Sequence, residues 1–242
     1  MKKQKVVISI PSHSGTLNSE CVLSLLATQH LLNMKGINIE VNILNGCPYL
    51  PVARNTLVAM FMKDKDATDL FFIDADVGFD ASAVLKILER PEGIVAGIYP
   101  LKRDEGGYPV KIKTIDGVPI GRDGLVEAEL LPTGFMRITR ICFESMEREY
   151  PELKYEPNVV NVAGADVTEV YDFFNMGSLG SSEWTTEDFA FCQRWTDIGG
   201  QLWVLPDIDF THTGNKAFTG NYYKHLFKED LVKTLKKVVN AK

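Results

Sequence analysis

Pairs of aspartates separated by one residue are the feature of this sequence that most directly indicates chemistry. Three such pairs occur, beginning at Asp64, Asp74 and Asp207. Asp74 and Asp76 directly follow the apolar run DLFFI, which predicts a buried strand ending at Ile73. Open α/β sheets bind ligands at the carboxyl ends of their strands. Carboxylate oxygens suit Mg²⁺ or Mn²⁺, and such ions usually share their coordination sphere with substrate phosphates. Asp74 and Asp76 are therefore the candidate metal site.

The alternative interpretation of this pair is a turn followed by a helix cap. Asp80, which precedes the helical pattern ASAVLKILE, is the better cap candidate. The pair that begins at Asp64 lies in the polar stretch KDKDATD and predicts a solvated turn. The metal interpretation is thus favoured for Asp74 and Asp76 alone.

Two further sites carry side chains suited to catalysis or metal binding. Glu187 and Asp188 open a predicted helix, where a helix N-terminus favours ionised acids and where acids are common for structural reasons as well. Asp188 is a candidate general base. His212 lies in the polar segment DFTHTGN, predicted as a loop after a strand, and taken alone it favours a surface or hydrogen-bonded histidine over a metal ligand.

The elements that must position these residues alternate along the first hundred positions. The pattern predicts strands at 5–10, 37–44, 69–73 and 93–99 and helices at 19–34, 51–63 and 80–89. This alternation is typical of a doubly wound α/β sheet.

The pattern changes after residue 100. Short strands separated by turns are predicted at 110–114, 118–120 and 125–131, which indicates a mixed or antiparallel patch. Helices are predicted at 139–150, 187–198 and 222–240, with a strand at 202–205. The irregular stretch 151–184 predicts a long loop of the kind that often forms a functional lid.

Composition limits the class of protein. The chain has 242 residues, 45% of them hydrophobic, which is enough for one large α/β domain. A net charge of -6 argues against a protein that mainly binds nucleic acid, although a bound metal can still attract a phosphate.

Four cysteines without a CxxC pair predict free buried thiols and a reducing, cytoplasmic location. The apolar run near the basic N-terminus is too short to predict a signal peptide, and no apolar run approaches the roughly 20 residues that would predict a membrane span. The lysine-rich last helix is usually a solvated face, but it would also suit weak peripheral contact with an anionic membrane.

An ordered set of short motifs resembles the GT-A fold glycosyltransferases, of the inverting, family-2-like type common in bacteria and viruses. The motifs are VVISIPSHSG, Ala53–Asn55, Asp74–Asp76, Gly97–Tyr99, Thr133–Phe135, Glu187–Asp188 and His212. The resemblance runs through most of the chain. It implies a single GT-A domain over residues 1–242, with a nucleotide-sugar-binding half (1–100) and an acceptor-binding half (101–242) sharing one mixed sheet flanked by helices.

The resemblance also implies a role for each matching position on the donor side. Asp76 and His212 would ligate Mn²⁺ or Mg²⁺, and Asp74 would contact the ribose or a metal-bound water. The remaining donor-side positions would line the nucleoside pocket or face the base and phosphates, and they are Pro11, Ser12, His13 and Arg54. On structural grounds alone, Arg54 would form a salt bridge on its helix and His13 would cap its loop.

On the acceptor side, Asp188 would be the general base, with Glu187 beside it. Gly134 and Phe135 would shape the sugar and acceptor site. Trp184, just before the Glu-Asp pair, is the best of the three tryptophans for stacking on a sugar ring, because Trp195 and Trp203 are predicted to pack in the core.

The implied reaction is metal-dependent transfer of a sugar from a nucleotide-diphosphate sugar to a hydroxyl acceptor. A single base without an evident second carboxylate nucleophile indicates inversion. UDP-sugars are the favoured donors. GDP-sugars remain open as donors, because the second predicted strand runs into NGCPYLP without the acid that many family members carry there. A sugar nucleotidyltransferase is disfavoured, since PSHSGTLNS lacks the Lys or Arg of a phosphate loop. A non-catalytic nucleotide-sugar-binding module also remains open, and donor turnover would distinguish it.

Overall fold

The first half of the chain alternates strands and helices, as the sequence predicts. The computed structural model describes residues 4–157, 165–178 and 183–227. Its first eight elements are β1 (Lys5–Ser12), α1 (Ser19–Met34), β2 (Asn38–Asn45), α2 (Leu50–Lys63), β3 (Asp69–Ile73), β4 (Val77–Phe79), α3 (Ala81–Leu88) and β5 (Ile94–Ala96). Asp80 caps α3, because its Oδ1 accepts a hydrogen bond from Ser82 N at 2.9 Å. Of these elements, only β4 was not predicted.

The second half contains shorter strands. Its elements are β6 (Lys111–Ile112), β7 (Thr114–Ile115), β8 (Val118–Pro119), β9 (Gly121–Arg122), β10 (Leu125–Leu130), β11 (Phe135–Thr139), α4 (Arg140–Glu149), a 3₁₀ turn (Pro151–Leu153), β12 (Lys154–Tyr155), β13 (Val170–Tyr171), α5 (Glu187–Asp197), β14 (Leu202–Val204), β15 (Asp209–Thr213), β16 (Ala217–Asn221) and α6 (Tyr222–Leu226).

A mixed sheet forms the centre of the molecule. Its strand order is β2-β1-β3-β11-β5-β14-β10-β6, with β9 pairing to β10. β1 is parallel to β2 and β3, whereas β11 is antiparallel to both β3 and β5. The predicted fold class, an α/β fold with a mixed sheet flanked by helices, is confirmed. The insertion of β11 between β3 and β5 means that both halves of the chain contribute to one sheet.

Each face of the sheet buries its own apolar cluster. Side chains alternate along β3, so that Phe72 belongs to one cluster, with residues of α2 and α4, and Phe71 belongs to the cluster on the opposite face, with residues of α1 and α3. All five side chains of β3 are buried. The strand therefore holds the following residues, Asp74 to Asp76, at a rigid edge of the sheet.

A small second sheet corrects the prediction for His212. The segment predicted as a polar loop is β15, which pairs antiparallel with β4 and β16. Its register places His212 opposite Val77, the residue after Asp76. In β15, Phe210 is buried, whereas Thr211, His212 and Thr213 are only partly covered. The strand therefore lacks the apolar alternation by which strands are predicted.

Part of the predicted lid, 151–184, packs against the core, whereas Met176 and Trp184 in the same stretch are exposed. β12 pairs with β13, and Phe173 and Phe174 are fully buried. Asn55 Nδ2 donates to Asp172 Oδ1 at 2.8 Å, and Asn55 Oδ1 accepts from Phe174 N at 3.1 Å. Residues 158–164 and 179–182 of this stretch lie outside the described residues, as does the predicted last helix beyond residue 227.

The structure also bears on the cysteines and on membrane association. All four cysteines are buried and unpaired, as expected. Across residues 4–157, 165–178 and 183–227, no helix is both long and apolar enough to cross a membrane.

Candidate functional site

An open cleft of about 450 Å³ lies where β1 and β3 end. Its lining includes six of the residues singled out from the sequence, namely Pro11, Ser12, His13, Asp74, Asp76 and His212. The parallel pairing of β1 with β3 brings residues 11–13, at the end of β1, and the 74–76 turn to the same sheet edge. Residues that are distant in the sequence therefore converge in one place.

Asp76 and His212 form the polar centre of this cleft. His212 Nε2 lies 3.4 Å from Asp76 Oδ1. His212 Nδ1 lies 2.8 Å from the Pro100 carbonyl oxygen. Because a carbonyl only accepts, Nδ1 carries a proton. Nε2 then faces Asp76 as a hydrogen-bond donor when the ring is charged, and with its lone pair when the ring is neutral. The backbone fixes the pair, since Thr213 N donates to Asp76 O at 2.9 Å.

Lys102 lies in the same cleft, and nothing in its local sequence indicated a site. Its Nζ forms an ion pair with Asp76 Oδ2. Although burial raises the pKa of Asp76, the hydrogen bonds from His212 and Lys102 hold that pKa below its usual value. Asp76 is therefore ionised at neutral pH.

Arg54 lies beneath the cleft and does not face into it. Its side chain is 2% exposed, and its Nη2 lies 3.2 Å from Asp74 Oδ1. Its Nε lies 3.6 Å from Glu187 Oε1. Burial lowers the pKa of Arg54, but Asp74 and Glu187 outweigh it and the pKa is raised. The expectation that Arg54 contacts base or phosphates is therefore replaced by a supporting role, in which one guanidinium links the Asp74 turn to the start of α5.

Gly134 and Tyr99 complete the environment of Asp74. Asp74 N donates to Gly134 O at 2.9 Å, and Tyr99 OH donates to Asp74 Oδ2 at 3.4 Å. A Cβ at Gly134 would overlap both Asp74 Oδ2 and the Tyr99 hydroxyl, so only glycine permits this approach. Phe135, expected beside the substrate, is instead fully buried between Phe71 and Phe210.

Glu187 and Asp188, predicted on the acceptor side, lie at the start of α5. Asp188 Oδ1 accepts hydrogen bonds from Thr186 Oγ1 at 2.5 Å and from Phe189 N at 2.9 Å. Burial, followed by the charge of Asp188, raises the pKa of Glu187. Trp184 is 73% exposed. The contact between Arg54 and Glu187 holds this helix start next to the Asp74 turn.

The donor atoms present at the cleft partly match a metal site. Across the three described ranges, no group of three or more His, Cys, Asp and Glu side chains is placed to hold a metal ion. Asp76 and His212 nevertheless bring a carboxylate oxygen and an imidazole nitrogen together. Two protein ligands suit an ion that completes its coordination with substrate phosphates and water, as Mg²⁺ commonly does.

Comparisons with known proteins support the fold more than any activity. No protein-family profile matches the sequence, and no curated protein matches it. The chain is similar to the crystal structure of A197 from STIV, with 20% identity, a TM-score of 0.52, and coverage of 87% of this chain and 86% of that one. This similarity shows a shared fold.

Two glycosyltransferase structures are more distant. The catalytic domain of Drosophila beta1,4galactosyltransferase 7, in complex with xylobiose, is 14% identical with a TM-score of 0.41, covering 83% of this chain and 63% of that one. A glycosyltransferase involved in the glycosylation of the major capsid of PBCV-1 is 14% identical with a TM-score of 0.30, covering 61% of this chain and 66% of that one. This chain spans slightly less than two thirds of each.

Proposed function

We propose that this protein transfers a sugar from a nucleotide-diphosphate sugar to a hydroxyl acceptor, with a divalent metal ion held by Asp76 and His212. The observation that carries the proposal is the convergence of Asp76 Oδ1 and His212 Nε2, 3.4 Å apart, in a cleft at the carboxyl ends of β1 and β3. The ordered motifs of the sequence support the same reaction class.

The metal would act on the donor diphosphate. Its chemistry is that of a Lewis acid, which stabilises charge on the departing diphosphate. The hydrogen bond from His212 Nδ1 to Pro100 O orients the ring and increases the basicity of Nε2. Either Mn²⁺ or Mg²⁺ suits a carboxylate, and the imidazole slightly favours Mn²⁺.

The nucleoside would occupy the part of the cleft lined by Pro11, Ser12 and His13. Asp74, held by Arg54 and Tyr99, keeps a carboxylate at the cleft wall that suits a ribose hydroxyl or a metal-bound water. UDP-sugars remain the favoured donors and GDP-sugars the alternative.

The acceptor would bind near the start of α5. Its hydroxyl attacks the anomeric carbon, the nucleotide diphosphate leaves, and Asp188 takes the hydroxyl proton. Gly134 would border the donor sugar through its close contact with Asp74. The exposed indole of Trp184 offers an apolar face for a sugar ring. One displacement with one base inverts the anomeric configuration.

Donor turnover tests this proposal. We expect release of free nucleotide from one class of UDP-, GDP-, TDP- or CDP-sugars, loss of that release in EDTA, and its return on adding Mn²⁺. Activity that survives EDTA would contradict the role of the metal. Binding of a nucleotide sugar without any release, across a panel of sugar acceptors, would instead identify a non-catalytic binding module.

A further inference from the structure

Lys102 places a positive charge on the carboxylate that is proposed to bind the metal. Its Nζ contacts Asp76 Oδ2, while His212 faces the other oxygen of the same carboxylate. Both side chains of the ion pair are about one third exposed, at 34% for Lys102 and 32% for Asp76. The ammonium therefore lies at the surface of the cleft, where a ligand can reach it.

The position of Lys102 is built into the fold. Its loop is closed by a hydrogen bond from Leu101 N to Gly107 O at 2.9 Å. Its stem lies over Gly214, in the turn between β15 and β16, where an added Cβ would be 3.1 Å from Lys102 Cδ. An ion pair between Lys216 and Asp104 links the same turn to the same loop. Loop and hairpin thus hold the lysine stem between them.

The ammonium of Lys102 and a divalent cation compete for Asp76. The ammonium and the cation repel each other when both lie against the same carboxylate, so binding both at once costs electrostatic free energy. Lysine carries its charge on a flexible four-carbon stem and binds phosphate as a point charge. A displaced Lys102 would remain in the cleft, close to the place expected for the diphosphate.

We propose that Lys102 is the resident counter-ion of Asp76 in the free protein, that a divalent cation displaces it, and that the released ammonium binds the donor diphosphate. This inference rests on the proposed function. It assigns to Lys102 both an effect on metal binding and an effect on donor binding, with opposite signs.

The test measures both effects in Lys102→Met, which keeps most of the stem and removes the charge. Mn²⁺ binding without nucleotide, followed by electron paramagnetic resonance of the free ion, is expected to tighten about two- to fivefold, the range for a partly exposed ion pair. Inorganic pyrophosphate binding in the presence of Mn²⁺ is expected to weaken about tenfold or more, because a charged hydrogen bond is lost. Lys102→Arg should retain pyrophosphate binding.

Lys111→Met is the matched control, because it removes a lysine charge from another partly exposed ion pair, with Glu129, outside the cleft lining. It should change neither constant, and thermal unfolding should show that all variants are folded. Unchanged Mn²⁺ or pyrophosphate binding in Lys102→Met would overturn the inference. If wild type binds neither Mn²⁺ nor pyrophosphate, the proposed function fails. If wild type binds both and Lys102→Met equals wild type, only this inference fails.

Discussion

Replacing Asp188 with asparagine is expected to lower kcat about 10²–10⁴-fold, the usual contribution of a general base. Asparagine keeps the size of the side chain, and its amide oxygen can still accept from Thr186 Oγ1 and Phe189 N, as Asp188 Oδ1 does. The helix start should therefore stay in place, and only proton acceptance should be lost. Nucleotide affinity should not change, because the cleft lining does not include Asp188.

Single-turnover kinetics with a saturating donor measure this effect. Asp197→Asn, at the last position of the same helix, is the matched control and should behave as wild type. Near-normal turnover in Asp188→Asn with intact donor binding would remove Asp188 as the base. Glu187, whose pKa is raised by burial and by Asp188, would then be tested next.

Replacing Arg54 with leucine is expected to destabilise the fold by about 3–5 kcal/mol, the effect of removing one partner from a buried ion pair. The guanidinium is 2% exposed and faces Asp74 and Glu187, whose side chains are 27% and 13% exposed. Without it, two partly buried carboxylates lie close together and lack their positive partner. Nucleotide affinity should fall as well, because the Asp74 turn loses its support.

Urea unfolding measures the loss of stability. The pKa of Glu187 is already raised above its ordinary value of 4.5. A group with a raised folded-state pKa stabilises the fold below its unfolded pKa, and this stability is lost as pH rises through the folded pKa. The Arg54→Leu variant lacks the partner that lowers the pKa of Glu187. Its loss of unfolding free energy relative to wild type should therefore be greatest at neutral pH and shrink as the pH falls toward 4.5.

Two variants separate stability from function. Adding Glu187→Gln to Arg54→Leu should recover part of the stability, because one uncompensated carboxylate is removed. Arg137→Leu removes another buried arginine, which donates to the Ile87, Arg90 and Glu92 carbonyls away from the cleft. It should destabilise the fold without changing nucleotide affinity. A loss of unfolding free energy below about 1 kcal/mol in Arg54→Leu would show that the contacts of Arg54 with Asp74 and Glu187 do not stabilise the fold.

The parts of the fold that the sequence predicted are those with a strong local pattern. The apolar run before Asp74 marked β3, and Asp80 marked the start of α3. The strand end placed Asp74 and Asp76 at a ligand-binding edge without any structural information. Residues 11–13, at the end of β1, lie at the same edge because β1 pairs in parallel with β3.

The parts that escaped prediction depend on contacts between distant residues. β15 is polar on four of its five residues, and its strand character comes from pairing with β4 and β16. Lys102 reaches Asp76 only because its loop packs against the hairpin turn. Arg54 carries no local sign that it would be buried beneath the cleft rather than exposed in it.

Isothermal titration calorimetry of UDP, GDP, TDP and CDP, each with and without Mn²⁺, tests the central claim most directly. The comparison uses wild type, Asp76→Ala and Asp66→Ala, the last changing the second aspartate of another Asp-x-Asp pair as a control. We predict that one nucleotide binds wild type and Asp66→Ala only with Mn²⁺ and does not bind Asp76→Ala. Failure of all four nucleotides to show metal-dependent binding, or binding that survives Asp76→Ala, would contradict the proposed site.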